Sequence, residues 1–430
     1  MPSVSLSPSL SLRFGIVSFK GHMTHVELTL GAPASGGGFV ARGDDGRVYF
    51  VRHGLPGERV RAVVTEEHAK WARADAIEIL EASGERVDPP CEFAGPGKCG
   101  GCDYQHASRS SQLALKTQLL QEQLRRIGKF DLDVKVEDVE SPNQGLGTRT
   151  RLRFGVSPTG QLGMRRHGSH DLIPTPTCLL GVSPLQETMT KTSLWDESDD
   201  VLIIALPQSD SVEVRRVMFT EDEHDLIDEE GDSDLSDTDL QETHVGQMSF
   251  RVSASSFWQI HEQAPEILVQ EVLQGLQLSA GDHVMDLYCG AGLFTKFIAD
   301  RVGPFGSVIG IESSQSAVED ATRNLVEYPW TYIQHASVNK RSIAHASPLS
   351  THAVLDPPRS GNDRSALLAL NDLEHLRRIV SVSCDPATFA RDLRILVDLG
   401  WEIVSLRAFD LFPMTEHLEC TAVLGRSIAH

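Results

Sequence analysis

Cys384 has the setting that most invites chemistry. It stands in "VSCDPATFARDL", where an apolar run ends and a helix-like run begins. A thiolate is a soft nucleophile and forms where its surroundings favour the anion. A packed core thiol would fit the same junction, so its meaning depends on its company. Asp356 in "LDPPRSG" precedes two prolines, each of which restricts the backbone before it, so this acid is held on a rigid, extended segment. A turn-forming Asp is the plain alternative. Glu419 in "FPMTEHLECTAVL" borders an apolar segment, and burial would raise its pKa and suit it to proton abstraction. A satisfied structural Glu competes with that reading. Cys420 reads as a core thiol.

A second constellation is a nucleotide-type turn. "DLYCGAGLFT" (286–295) follows a strand pattern and opens a helix, with Gly290 and Gly292 allowing a tight turn and close approach of a ligand. Thr295 stands where a dinucleotide fingerprint has its third glycine, which fits a nicotinamide cofactor poorly and S-adenosylmethionine better. Glu312, ending the next strand pattern in "VIGIESS", can accept hydrogen bonds from ribose hydroxyls.

A third is a thiol cluster. "CEFAGPGKCGGC" spaces Cys91, Cys99 and Cys102 as C-x7-C-x2-C on a loop bent by Gly and Pro, and Cys178 could close a four-thiolate site. Such a set suits zinc or an iron–sulfur cluster.

These residues need a scaffold. From about 256 onward, apolar strands alternate with helices ("HVMDLYCG", "SVIGIES", "HAVLDPP", "RIVSVSC"), which predicts an α/β, doubly wound parallel sheet with ligands at the carboxyl ends of its strands. Residues 23–84 read as about five short strands with Gly-rich turns, a small OB-like β-barrel. Residues 85–255 form a central α+β region. It holds the cysteines, an amphipathic helix in "ASRSSQLALKTQLLQEQLRRIG", and a strand whose alternating Arg149, Arg151 and Arg153 share one face. With Arg165, Arg166 and His167 these arginines make the dense basic cluster, read as phosphate-facing. Residues 1–22 read as a disordered tail without a convincing signal peptide, so the cytoplasm is the default.

Net charge is −21, which alone argues against nucleic acid. The acid is uneven, however. Residues 221–243 hold twelve acidic side chains and no Lys or Arg, and "DESDD" (196–200) four more; without these sixteen the net charge is −5. The long stretch reads as a solvated acidic loop. No apolar run is long enough to span a bilayer, and nothing calls for an obligate protein partner.

On these motifs the chain, from about residue 24, resembles the RNA uracil-5-methyltransferases that use S-adenosylmethionine. "GGGFVARGDDGRVYFVRHGLPGERV" resembles a TRAM domain. The cysteine set resembles the 4Fe–4S site of the ribosomal-RNA branch. The resemblance implies Cys91, Cys99, Cys102 and Cys178 as cluster ligands and an RNA substrate, ribosomal RNA. It implies Gln259 (in "SSFWQIH"), Tyr288, Glu312 and Asp356 as cofactor contacts, Cys384 as nucleophile and Glu419 as general base. In that chemistry the thiolate adds to carbon 6 of uracil, carbon 5 takes the methyl, and the base removes the carbon-5 proton so that cysteine can leave. Four features depart from the family: Leu293 where Asn is frequent, Asp385 where Asn is frequent, the long Cys91–Cys99 gap and the acidic stretch. Two other functions stay open: a uracil-5 enzyme of transfer RNA, and a non-catalytic RNA-binding factor on the same fold.

Overall fold

The computed structural model describes residues 12–13, 24–141, 143–191, 200–205, 212–217, 240–346 and 349–426. Most of the N-terminal tail and the acidic stretch up to residue 239 lie outside them. Leu12–Arg13 pairs with the strand Trp71–Glu81. Residues 240–243, read from sequence as the end of the acidic loop, belong instead to the strand Leu240–Val245, whose Gln241, Thr243 and Val245 are buried on one face.

The C-terminal sheet is built from β1 (His283–Leu287), β2 (Ser307–Glu312), β3 (Thr331–His335), β4 (His352–Leu355), β5 (Arg378–Ser383), β6 (Glu402–Phe409) and β7 (Glu419–Gly425). Its order is β3-β2-β1-β4-β5-β7-β6, and the short strand Val136–Glu137 pairs along the outside of β6. Strands β1 to β5 are parallel, as the alternating pattern predicts. Successive residues of these strands feed opposite cores. Met285, Leu287, Leu355 and Ile379 face one, with Phe389 and Leu393; Val284, Val308, Val354 and Val380 face the other, with Leu268 and Ile298. Strand β3 has no fully buried residue and lies at the edge, so no apolar run marks it in the sequence.

Strand β7 departs from the parallel expectation. It runs antiparallel to both β5 and β6. The connection from β6 to β7 is only residues 410–418. A return in the same direction would need a crossover of about a dozen residues or more.

Ahead of this sheet stand three smaller ones. The strands His25–Thr29, Pro33–Ala34, Gly38–Arg42, Val48–Arg52, Arg59–Glu67 and Trp71–Glu81 form one N-terminal sheet. Its pairing path is open from His25–Thr29 to Pro33–Ala34, and closure into a barrel is not among its described pairings. The expected "DDG" turn is present, with Gly46 at φ +78° joining Gly38–Arg42 to Val48–Arg52. Five antiparallel strands make the central sheet, in which Arg151–Val156 is flanked by Leu162–Arg165 and Asp200–Ala205. The hairpin Leu240–Val245/Met248–Ser253 shares the core of the C-terminal sheet through Phe250 and Val252.

One basic-cluster expectation is corrected here. Arg151 does not face out toward phosphate: its guanidinium donates to the Ser256 carbonyl (2.8 Å) and to Gln241 Oε1 (3.2 Å). The strand's outward position belongs to the exposed Arg153. Among the described residues no helix is long and apolar enough to cross a membrane.

The helix Ala264–Leu276 packs so closely on the sheet that a Cβ at Gly275 would come within 2.8 Å of methyl groups of Val380 and Val423. Overpacking a well-filled core costs about 1–3 kcal/mol. Gly275→Val is therefore expected to lower the free energy of urea unfolding by that amount, with the far-ultraviolet spectrum of the folded state retained.

Candidate active site

The proposed nucleophile and base are brought together by strand pairing. Ser383, the last residue of β5, is opposite Cys420 in β7. The next step along the ladder sets Cys384 beside Glu419, which itself pairs with Phe409 of β6. Because β7 is antiparallel, its first residue lies at the edge where β5 ends. Cys384 is partly exposed there and Glu419 is buried. The helix behind the thiol starts at once. Asp385 is its cap, its carboxylate accepting the backbone N–H groups of Ala387 (3.0 Å) and Thr388 (2.7 Å). Asp and Asn cap equally well, so the departure at this position is structurally neutral.

Asp356, Glu312 and the glycine turn close the other side. Asp356 follows β4, its N–H donating to the Leu287 carbonyl (3.3 Å). Glu312 ends β2 and accepts from Gly290 N (2.9 Å), Ser313 N (2.6 Å) and Ser314 N (2.8 Å). Gly290 has φ +53°, and a side chain there would meet no protein atom within 4 Å, so the space over the turn is open. Tyr288 has φ +64°, unusual for a residue with a side chain. The departing Leu293 is a buried core residue, packed in one cluster with Phe294 and Ala291. Gln259 is buried on the loop before the helix Ala264–Leu276.

The electrostatics tie these groups into one cluster. Burial, then the charges of Glu419 and Asp356, push the Cys384 thiol up to about 12, against the opposing pull of Arg359. Burial and then Asp356 hold Glu419 well above the usual carboxylate range. Burial and then Glu312 raise Asp356 to about 7. Asp286, the first residue of the "DLYCGAG" run, is raised to about 7, chiefly by burial and further by Asp356 and Glu312. Its Oδ2 accepts from the Thr295 hydroxyl (2.5 Å), but its buried Oδ1 has no hydrogen-bond partner among the described residues. Three carboxyls and a thiol, all raised by burial and by neighbouring acids, do not make a stabilising network. Such a set is arranged for a ligand that is positively charged or rich in donors.

Residues that sequence reasoning passed over complete the cleft. Arg359, exposed in the "DPPRSG" loop, donates to His417 Nε2 (3.2 Å). Burial and then the Arg359 charge depress His417 to about 4, so it stays neutral. The "DPPR" run offers a local hint of Arg359. No local pattern points to His417 or to the unpaired oxygen of Asp286.

Cys91, Cys99, Cys102 and Cys178 come into one neighbourhood, close enough that Cys91 and Cys178 are both felt at Cys99. Gly101 N–H points at Cys99 Sγ (3.4 Å) and Gln105 Nε2 at Cys102 Sγ (3.1 Å), so these sulfurs already accept hydrogen bonds. Among the described residues, however, no group of three or more His, Cys, Asp or Glu is arranged to hold a metal ion.

An α/β sheet with a glycine turn after β1 and an acid ending β2 is the layout of a nucleotide-type cofactor site, at the carboxyl ends of the strands. The model of the tRNA (uracil-5-)-methyltransferase family matches residues 232–427. An uncharacterized RNA methyltransferase of Streptomyces coelicolor is 40% identical, over 93% of this chain and 92% of its own length. One of Streptomyces avermitilis is 39% identical, over 93% and 97%. The crystal structure of the Pyrococcus abyssi tRNA (uracil-54, C5)-methyltransferase in complex with S-adenosyl-L-homocysteine shares the fold, with a TM-score of 0.68, 23% identity, and coverage of 92% of this chain and 100% of that one. The chain belongs to the RNA uracil-5-methyltransferase family, and it is an enzyme of that type.

Removing one of the acids should free the thiol. In Asp356→Asn the pKa of Cys384 is expected to fall, raising its thiolate fraction about tenfold for each unit. Peptide-level mass spectrometry of iodoacetamide labelling at pH 8.5 should therefore show faster alkylation of Cys384 in the variant than in the ligand-free parent; an unchanged rate would remove Asp356 from the neighbourhood of the nucleophile.

Proposed function

We propose that this enzyme methylates carbon 5 of a uridine in ribosomal RNA through a covalent bond between Cys384 and the uracil. The observation that carries the reading is the pairing of β5 with β7, which sets a thiol and a buried carboxyl side by side at the carboxyl edge of the sheet.

S-adenosylmethionine, when bound, supplies the methyl group and a positive charge among the acids. The residues fit that donor: Asp286 has an unpaired buried oxygen, Gly290 an open face, and Glu312 a carboxylate at the strand end. Asp356, Tyr288 and Gln259 complete its seat. The thiolate of Cys384 forms a bond to carbon 6, and the ring electrons move to carbon 5, which becomes nucleophilic. Once carbon 5 carries the methyl, the carboxylate of Glu419 takes the carbon-5 proton. The electron pair left behind restores the ring double bond and expels Cys384 as thiolate. The base must leave its stack to reach the cleft. In this reading the N-terminal sheet acts as an OB-like TRAM barrel and, with the cluster of Arg149, Arg165 and Arg166, holds the RNA backbone. By the family resemblance, Cys91, Cys99, Cys102 and Cys178 would hold a 4Fe–4S cluster, which would tie the central sheet to its loop.

The cysteine set favours ribosomal RNA by family resemblance. Transfer RNA is the second reading, favoured by the matched family model. Mapping 5-methyluridine in cellular RNA with and without the protein decides between them. Cys384→Ala should abolish tritium release from carbon-5-labelled uridine RNA while S-adenosylmethionine still binds; undiminished release would remove the nucleophile. Glu419→Gln should accumulate a protein–RNA adduct stable to denaturation, and normal product release would remove the base. Purified anaerobically, the protein should contain about four iron atoms per chain; a colourless, zinc-loaded protein would overturn the cluster.

A further inference from the structure

The segment between β6 and β7, residues 410–418, ends at the proposed base and has little regular structure of its own. What holds it comes from elsewhere in the chain. The helix Arg109–Gln123 of the central region presents Arg109, Gln112 and Lys116 to it. Lys116 is fully buried, and its ammonium donates to the Asp410 carboxylate, to the Phe412 carbonyl (2.9 Å) and to the His417 carbonyl (2.6 Å). Those three bonds use all of its donors and join the first residue of the segment to one near its last. Arg109 reaches the other oxygen of Asp410. Gln112 accepts from Met414 N (3.1 Å), and the Met414 carbonyl accepts from Asp103 N and Tyr104 N (2.9 Å each). Met414 is thereby kept at φ +67°, a left-handed conformation that a side chain disfavours.

The N-terminal sheet adds a second pin. The Glu416 carboxylate accepts from Gly36 N (2.7 Å), and Glu416 N donates to Asp103 Oδ2 (3.2 Å). A side chain at Gly37 would run into Asp103 at 2.5 Å, so the "SGGGF" turn must be glycine to come this close.

None of these groups touches a reacting atom in the scheme above. A buried ammonium that spends all three donors on one loop has a bearing on whatever follows that loop, and Glu419 follows it immediately, two residues after the His417 carbonyl that Lys116 holds. We propose that Lys116 is a positioning residue for proton abstraction: it latches residues 410–418 so that Glu419 faces Cys384, with Glu416 on the Gly36–Gly37 turn as the second pin. The inference rests on Glu419 being the base. It makes the last step of the reaction depend on the N-terminal and central regions, beyond any hold they have on RNA.

The test is single turnover by the full-length protein with S-adenosylmethionine and uridine RNA, following methyl transfer and release of the covalent adduct separately. Lys116→Met/Asp410→Leu removes both charges together, so that neither is left buried alone; Glu416→Gln is the milder companion should the double variant not fold. Each is expected to transfer methyl at near the parent rate and to release the adduct about 10-fold to 100-fold more slowly, the range for a small misplacement of a reacting group. Glu419→Gln is run alongside. If it traps adduct while both latch variants, or the one that folds, release at the parent rate, the latch is overturned and the base stands. A parallel loss of transfer, release and cofactor affinity would likewise mark a merely structural role and overturn it. If Glu419→Gln itself traps nothing, the base assignment fails and the latch falls with it.

Discussion

The direction of one strand decides which side chains meet at the rim of the sheet. In a sheet whose strands all ran parallel, the residue opening β7 would lie at the amino edge, a strand length away from the thiol that follows β5. The connection of residues 410–418 is too short for a parallel return, so β7 enters antiparallel and begins where β5 ends. Cys384 and Glu419, distant in sequence, become neighbours through backbone hydrogen bonding. The parallel strands β1, β2 and β4 bring the glycine turn, Glu312 and Asp356 to the same edge, so these groups share one rim of the sheet with Cys384 and Glu419.

That rim is electrostatically unfavourable on its own. Asp286 and Asp356 are each lifted to about 7 by burial and by neighbouring acids, and Cys384 to about 12. The ligand-free site thus favours the protonated thiol. In the proposed reaction, the arrival of a cationic donor is what makes this arrangement favourable, because an opposite charge stabilises every anion in the cluster. Elsewhere Asp385 caps the helix after Cys384, and the buried Lys116–Asp410 pair, with its carbonyl partners, ties down the loop before Glu419.

Much of this was legible in the sequence because it is written locally. Apolar runs of β-branched residues alternating with helices gave away the α/β sheet, and "DLYCGAG", "LDPPR" and "SCDPATF" each announced a strand end. What failed was non-local or masked by composition. Nothing in "TAVLGR" tells its direction; that follows from which strands it lies between. Lys116 and Asp410 are nearly three hundred residues apart, and a lysine on an amphipathic helix normally reads as solvated. Arg151 looked like part of a phosphate-facing row, yet its guanidinium is used up on Ser256 and Gln241. The edge strand Thr331–His335 carries no apolar stripe and went unread.

The central claim is the transient bond between Cys384 and carbon 6 of uracil. RNA carrying 5-fluorouridine at the target position tests it directly, since fluorine at carbon 5 cannot be withdrawn as a proton and the reaction must halt after methyl transfer. Incubation with S-adenosylmethionine, digestion and mass spectrometry should find one modified peptide, the one containing Cys384, bearing a methylated fluorouridine. An adduct on another residue, or methylated RNA with no adduct at all, would contradict the account.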